Sequence, residues 1–131
     1  MTTKTIRQSV VFAASPHEVY EALMDAKKHA TFTGSKARVS RKVGGAFAIF
    51  DDGLSGTNLE LVADKKIVQA WRCEMKGWPA DHFSKATFAL SKTKTGTKLA
   101  FTHSGVPTAC VKDITQGWRD YYWKPMKEML D

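Results

Sequence analysis

Apolar and polar residues alternate through residues 4–13, placing Ile6, Val10 and Phe12 on one face of a predicted strand. Ser15-Pro16-His17-Glu18 then reads as a helix start. Ser15 can cap the Glu18 amide, Glu18 can reach back, and Pro16 suits a first turn that needs no amide donor. Val19, Tyr20, Leu23 and Met24 follow as an apolar stripe at helical spacing. A second short helix or irregular turn is predicted over Ala26 to Phe32, broken by Gly34-Ser35. Beyond it the pattern is mostly strands: Lys36–Lys42, Ala46–Phe50, Leu54–Ala63, Lys66–Met75, Ser84–Ser91 and Thr97–Gly105. Asp51-Asp52-Gly53 predicts a turn with positive φ at the glycine, and Lys94-Thr95-Gly96 predicts a hairpin tip. After Pro107 the period changes to 3.6 over roughly residues 109–129. Ile114, Trp118, Tyr121 or Tyr122, Pro125 and Met129 share a side there, and Pro125 should kink or interrupt the helix. Gly117 beside Trp118 suggests close approach to the sheet.

This order, one strand, two short helices, about six antiparallel strands and a long helix, makes an α+β chain whose sheet needs one covered face. Strict alternation places Ile67, Gln69, Trp71, Cys73 and Met75 on the inward face of one strand. Ala86, Phe88 and Leu90 join them, as do Leu99, Phe101 and His103, with Leu59, Leu61, Phe47 and Ile49 completing the set. If these face Trp118 and Tyr122, the space between is either a filled core or a ligand-sized cavity. The candidate cavity residues are Phe47, Trp71, Cys73, Phe88, Phe101, His103, Trp118 and Tyr122.

At 131 residues with 43% hydrophobic and 25% charged content, the chain is expected to be one globular domain, residues 1–131. A net charge of +7 suits nucleic acid, an anionic membrane or an acidic protein face, or simply a soluble surface. Lys36, Arg38, Arg41 and Lys42 concentrate cations without an acid. Lacking the interleaved aromatics of single-strand nucleic-acid binding, they read as a docking edge for an acidic protein or as charges guarding an edge strand. Trp78, next to Pro79, either packs beneath its loop or meets a partner. The N-terminus carries no signal-peptide pattern and no apolar run could span a membrane. With two cysteines outside any metal or redox spacing, a reducing cytoplasmic setting is expected.

Candidate chemistry is sparse. His103, the one histidine expected to point inward, is either a polar anchor or base, or a structural histidine bonded within the fold. Cys73 and Cys110 have no neighbour that would make a reactive thiolate, and His17, His29 and His82 have no metal-ligand spacing. No catalytic residue, metal or cofactor is expected.

Short signatures then add up in order: Gly44-Gly45 with Phe47, the turn ending at Gly53, Gly56, Leu61-Val62, Lys66-Ile67-Val68 and Trp71-Arg72. Trp78-Pro79, His82-Phe83, Gly105-Val106-Pro107, Gly117-Trp118 and Tyr121-Tyr122 complete them. From about Ser9 to Met129 the chain resembles the C-terminal domain family of the Hsp90 ATPase activator Aha1, within the Bet v 1/START-like group. The resemblance implies a helix-grip fold, a curved antiparallel sheet wrapped around the C-terminal helix. In two-domain activators an N-terminal domain makes the main contact with the Hsp90 middle segment, and this domain engages the dimerised chaperone N-domains. The present chain begins where that second domain begins. Stand-alone members of the wider group are thought to hold hydrophobic small molecules between sheet and helix. Two functions follow: a non-enzymatic interaction module for an Hsp90-type chaperone, or a binder of a small hydrophobic ligand.

Overall fold

The alternating N-terminal segment forms strand β1 (Thr3–Phe12) in a computed structural model that describes all 131 residues. Helix α1 (Pro16–Met24) starts at a full capping box: Ser15 Oγ accepts the Glu18 amide at 3.1 Å, and Glu18 Oε1 accepts the Ser15 amide at 3.2 Å. Helix α2 (Ala26–Thr33) ends at Gly34, whose φ of 73° is the left-handed stop that glycine adopts without penalty. Six strands follow: β2 (Ala37–Val39), β3 (Ala46–Ile49), β4 (Leu54–Val62), β5 (Lys66–Cys73), β6 (Ser84–Lys92) and β7 (Thr97–Pro107). The sheet therefore has seven strands, all paired antiparallel, in the order β1-β7-β6-β5-β4-β3-β2. Its covered face receives α3 (Val111–Trp118) and α4 (Lys124–Leu130), joined without a break by a π turn over Arg119–Trp123. This is the α+β helix-grip arrangement. No helix is long and apolar enough to cross a membrane.

The interruption expected at Pro125 takes the form of this π turn. Lys124 donates to Arg119 O, five residues back, so the wider turn carries one extra residue just before the proline. That residue advances the buried stripe by one position. Ile114, Trp118, Tyr122 and Met126 face the core, whereas Tyr121 stays 60% exposed and Pro125 and Met129 are only partly covered.

Three further expectations need correction. The strand expected over Lys36–Lys42 is only three residues long, because buried Asn58 captures the rest. Its Nδ2 donates to Ser40 O (2.7 Å) and Lys42 O (3.1 Å), and its backbone bonds Gly44 and Gly45. Leu59 is 49% exposed, not inward, because a bulge between Asn58 and Glu60 flips the alternation. The β3–β4 turn takes positive φ at Phe50, Asp51 and Asp52 (56°, 54° and 68°), not at Gly53.

Gly56 is where a glycine is sterically required. A Cβ there would sit 1.8 Å from Ala70 O and 2.8 Å from Phe47 Cζ, so a side chain would push β4 off β5.

Candidate functional site

The space between sheet and helix is filled at one end and open at the other. Beneath Trp118 lie Phe101 (ring centroids 4.4 Å apart), Tyr122 (4.6 Å), Trp123 (5.5 Å) and Phe88 (5.7 Å), a packed aromatic stack. Gln8 of β1 ties this end together, accepting from Trp123 Nε1 at 2.7 Å and donating to Thr115 O at 3.1 Å.

His103 belongs to the filled end. It is fully buried, and burial among aromatic rings lowers its pKa to about 3. Trp118 Nε1 donates to its Nδ1 (3.0 Å), and Ser84 donates its hydroxyl to Trp71 O (2.9 Å). The Ser84 oxygen is thus left to accept from His103 Nε2 at 2.7 Å, which fixes a neutral Nε2–H tautomer. Both ring nitrogens are occupied, so His103 is a satisfied core group and does not reach a cavity. Nor is it the sole inward histidine. His29, 4% exposed, donates from Nδ1 to Leu23 O (3.0 Å) and accepts from the Tyr122 hydroxyl at Nε2 (2.8 Å). Burial lowers its pKa as well, and raises that of Tyr122. Two neutral histidines thus hold Trp118 and Tyr122, two of the three inward aromatics of the C-terminal helix.

The open end is a groove of about 500 Å³. Phe50, Gly53, Leu54, Trp71, Cys73 and Met75 form its sheet wall, and Ile114, Gly117, Trp118, Tyr121 and Tyr122 its helix wall. Phe50 and Tyr121 meet edge to face across the lip at 6.0 Å. Glu74 and Asp113 are the charged residues of the lining. Of the candidate cavity residues, Trp71, Cys73, Trp118 and Tyr122 stand on this groove. Phe47, Phe88, Phe101 and His103 do not; they are packed in the core. Cys73 is partly buried in an apolar wall that pushes its thiol up to about 11, and burial raises Cys110 too, so neither is a ready thiolate. No group of three His, Cys, Asp or Glu is placed to hold a metal.

At the far edge of the sheet, β2 and the arch held by Asn58 present Lys36, Arg38, Arg41 and Lys42 to solvent. Arg38 pairs with Asp52 at 2.6 Å and Arg41 with Glu21 at 2.5 Å, while Lys36 and Lys42 carry no ion pair. Trp78 is not part of this surface. It is 6% exposed, donates to His82 O at 2.9 Å and packs edge-on against Trp71 at 5.6 Å, so of its two expected roles it takes the packed one and is no partner contact.

The family model for "Activator of Hsp90 ATPase homolog 1-like protein" matches residues 13–131. The chain belongs to this family. The human "Activator of 90 kDa heat shock protein ATPase homolog 1" is 32% identical over 117 residues, covering 89% of this chain and 34% of that protein. The chain thus spans about a third of the length of the curated relatives it matches. Among solved structures, an HSP90 activator from Plasmodium falciparum superposes with a TM-score of 0.89 at 24% identity, covering 95% of this chain and 94% of that one. A protein from Chromobacterium violaceum superposes at 0.79 with 27% identity, covering 96% of each chain.

Within the family fold, several groove residues escaped sequence reasoning. Phe50 and Gly53 sit in a turn whose left-handed backbone aims Phe50 at the lip, and no alternation rule applies there. Gly117 was expected to mark close approach to the sheet. Instead a Cβ there would meet only Tyr121 Cδ2 at 3.8 Å, so the glycine leaves the groove open. Asn58, which sets the basic arch, carried no signal: the alternation that turns Leu59 and Leu61 inward places it outward, whereas the structure buries it in phase with Leu54 and Gly56.

Proposed function

We propose that this domain is a non-enzymatic interaction module that docks an Hsp90-type chaperone through its basic β2 edge. The family match over residues 13–131 carries the reading, since relatives bear the name of an Hsp90 ATPase activator. The surface supports it. Lys36 and Lys42 have no ion pair within the chain, and the Arg38 pair is exposed enough to be exchanged for a partner's carboxylate, while Arg41 is held against the partly covered Glu21. Action by binding is supported by two buried histidines with both ring nitrogens occupied and two thiols with raised pKa. Free cysteines fit a cytoplasmic setting. The double variant Lys36→Glu/Lys42→Glu should weaken chaperone binding about tenfold at low salt, with the gap narrowing as salt rises. Affinity indifferent to both salt and these charges would remove the basic edge from the account.

The groove favours a second reading: a small hydrophobic ligand held between sheet and C-terminal helix, against Trp71, Trp118 and Tyr122.

A further inference from the structure

We propose that the groove selects an apolar organic cation, a protonated or quaternary amine on an apolar or aryl body. This rests on the ligand reading of the groove and adds the chemistry of its occupant. The protein carries a net charge of +7, yet no lysine, arginine or histidine lines the groove, and its two charged residues are both acids. They differ in standing. Glu74 is bound to Arg72 Nη1 at 2.6 Å, so much of its charge is already answered. Asp113, in the first turn of α3, has no ion pair and no side-chain hydrogen bond, and is free to meet a cation at the mouth.

The walls suit the same ligand. Trp71, Trp118, Tyr121, Tyr122 and Phe50 offer ring faces and edges around one volume, and aromatic faces attract cations that are weakly hydrated. A quaternary ammonium, which cannot donate a hydrogen bond, needs no acceptor deeper in the groove, and this one has few. An anion would meet the unpaired Asp113 with no lysine, arginine or histidine in the lining to offset it. A neutral apolar molecule would fit the walls but gain nothing from the carboxylate. The volume, about 500 Å³, is that of an ordinary small-molecule site.

The test uses the intact chain and three probes on one phenylbutyl body: phenylbutylammonium, phenylbutanol and phenylpentanoate. Binding is followed by amide shifts at Gly53 and Gly117 and by tryptophan emission. The ammonium should bind about tenfold tighter than the alcohol, with the carboxylate weakest. Asp113→Asn should weaken the ammonium about fivefold and leave the alcohol unchanged. Gly117→Leu, at a helix position with room for a side chain, should remove binding of all three without unfolding the protein. If the alcohol or carboxylate binds as tightly as the ammonium, or Asp113→Asn changes nothing, the cation preference is wrong while the ligand reading stands. If no probe shifts the groove, both fall.

Discussion

Lowering pH should loosen the grip of sheet on helix, because His103 must stay neutral to accept from Trp118. Its folded pKa, about 3, lies well below the ordinary 6.5 of an exposed histidine. The sign follows from linkage. A histidine with a depressed folded pKa contributes stability that is complete above pH 6.5 and is lost as pH falls toward the folded value. Each pH unit in that window is worth about 1.4 kcal/mol, so the drop from about pH 7.5 to about pH 5 costs roughly 2 kcal/mol from His103 alone. That is a large share of a stability of order 5–15 kcal/mol. His29 acts in the same direction. The assay is urea unfolding at both pH values for the native protein and for His103→Gln, whose amide can keep the donor to Ser84 but cannot titrate. The variant should be less stable at neutral pH, because its one amide cannot serve both Ser84 and Trp118. Its stability should nonetheless fall by roughly 2 kcal/mol less between the two pH values than that of the native protein. Carboxylates titrate in both proteins and cancel in the difference. Equal losses in the two would show that His103 is not held neutral by the core, and the account of the helix anchor would fail.

Gly56→Ala should destabilise by about 3 kcal/mol in the same urea assay, because the added methyl runs into Ala70 O. Asn58→Ala should cost about 2 kcal/mol and raise amide exchange across residues 40–45, since the arch loses both side-chain anchors. Ser15→Ala removes the α1 cap and should cost about 1 kcal/mol without touching either candidate surface. Arg41→Glu sets like charges beside the partly covered Glu21 and should lower stability by about 1 kcal/mol, whereas Lys36→Glu leaves the melting temperature unchanged.

The strand and helix order was legible because this sheet is wet on one face and dry on the other, so alternation maps directly onto burial. The capping box at Ser15 and the stripe Val19, Tyr20, Leu23 and Met24 follow from local chemistry alone. Legibility failed where a local irregularity shifts phase. The bulge after Asn58 turns Leu59 outward, and the π turn before Pro125 moves the stripe onto Met126. The groove was half visible for the same reason. Trp71, Cys73, Trp118 and Tyr122 follow the periodicities, but whether large aromatics fill or wall a space depends on how far the helix stands off. At the open end the walls are completed by Phe50 and Gly53 of the β3–β4 turn and by Gly117, whose place on the groove no periodicity marks. Trp78 was open in the sequence for a different reason: a tryptophan beside a proline in a connection either packs or meets a partner, and its contact with Trp71 decides for packing.

An amide-resolved NMR titration of this protein with the Hsp90-type chaperone of its own organism tests the central claim most directly. The account predicts salt-sensitive shifts concentrated on β2, β3 and the arch over residues 40–45. A spectrum left unchanged at high chaperone concentration, or shifts confined to the groove, would contradict docking through the basic edge.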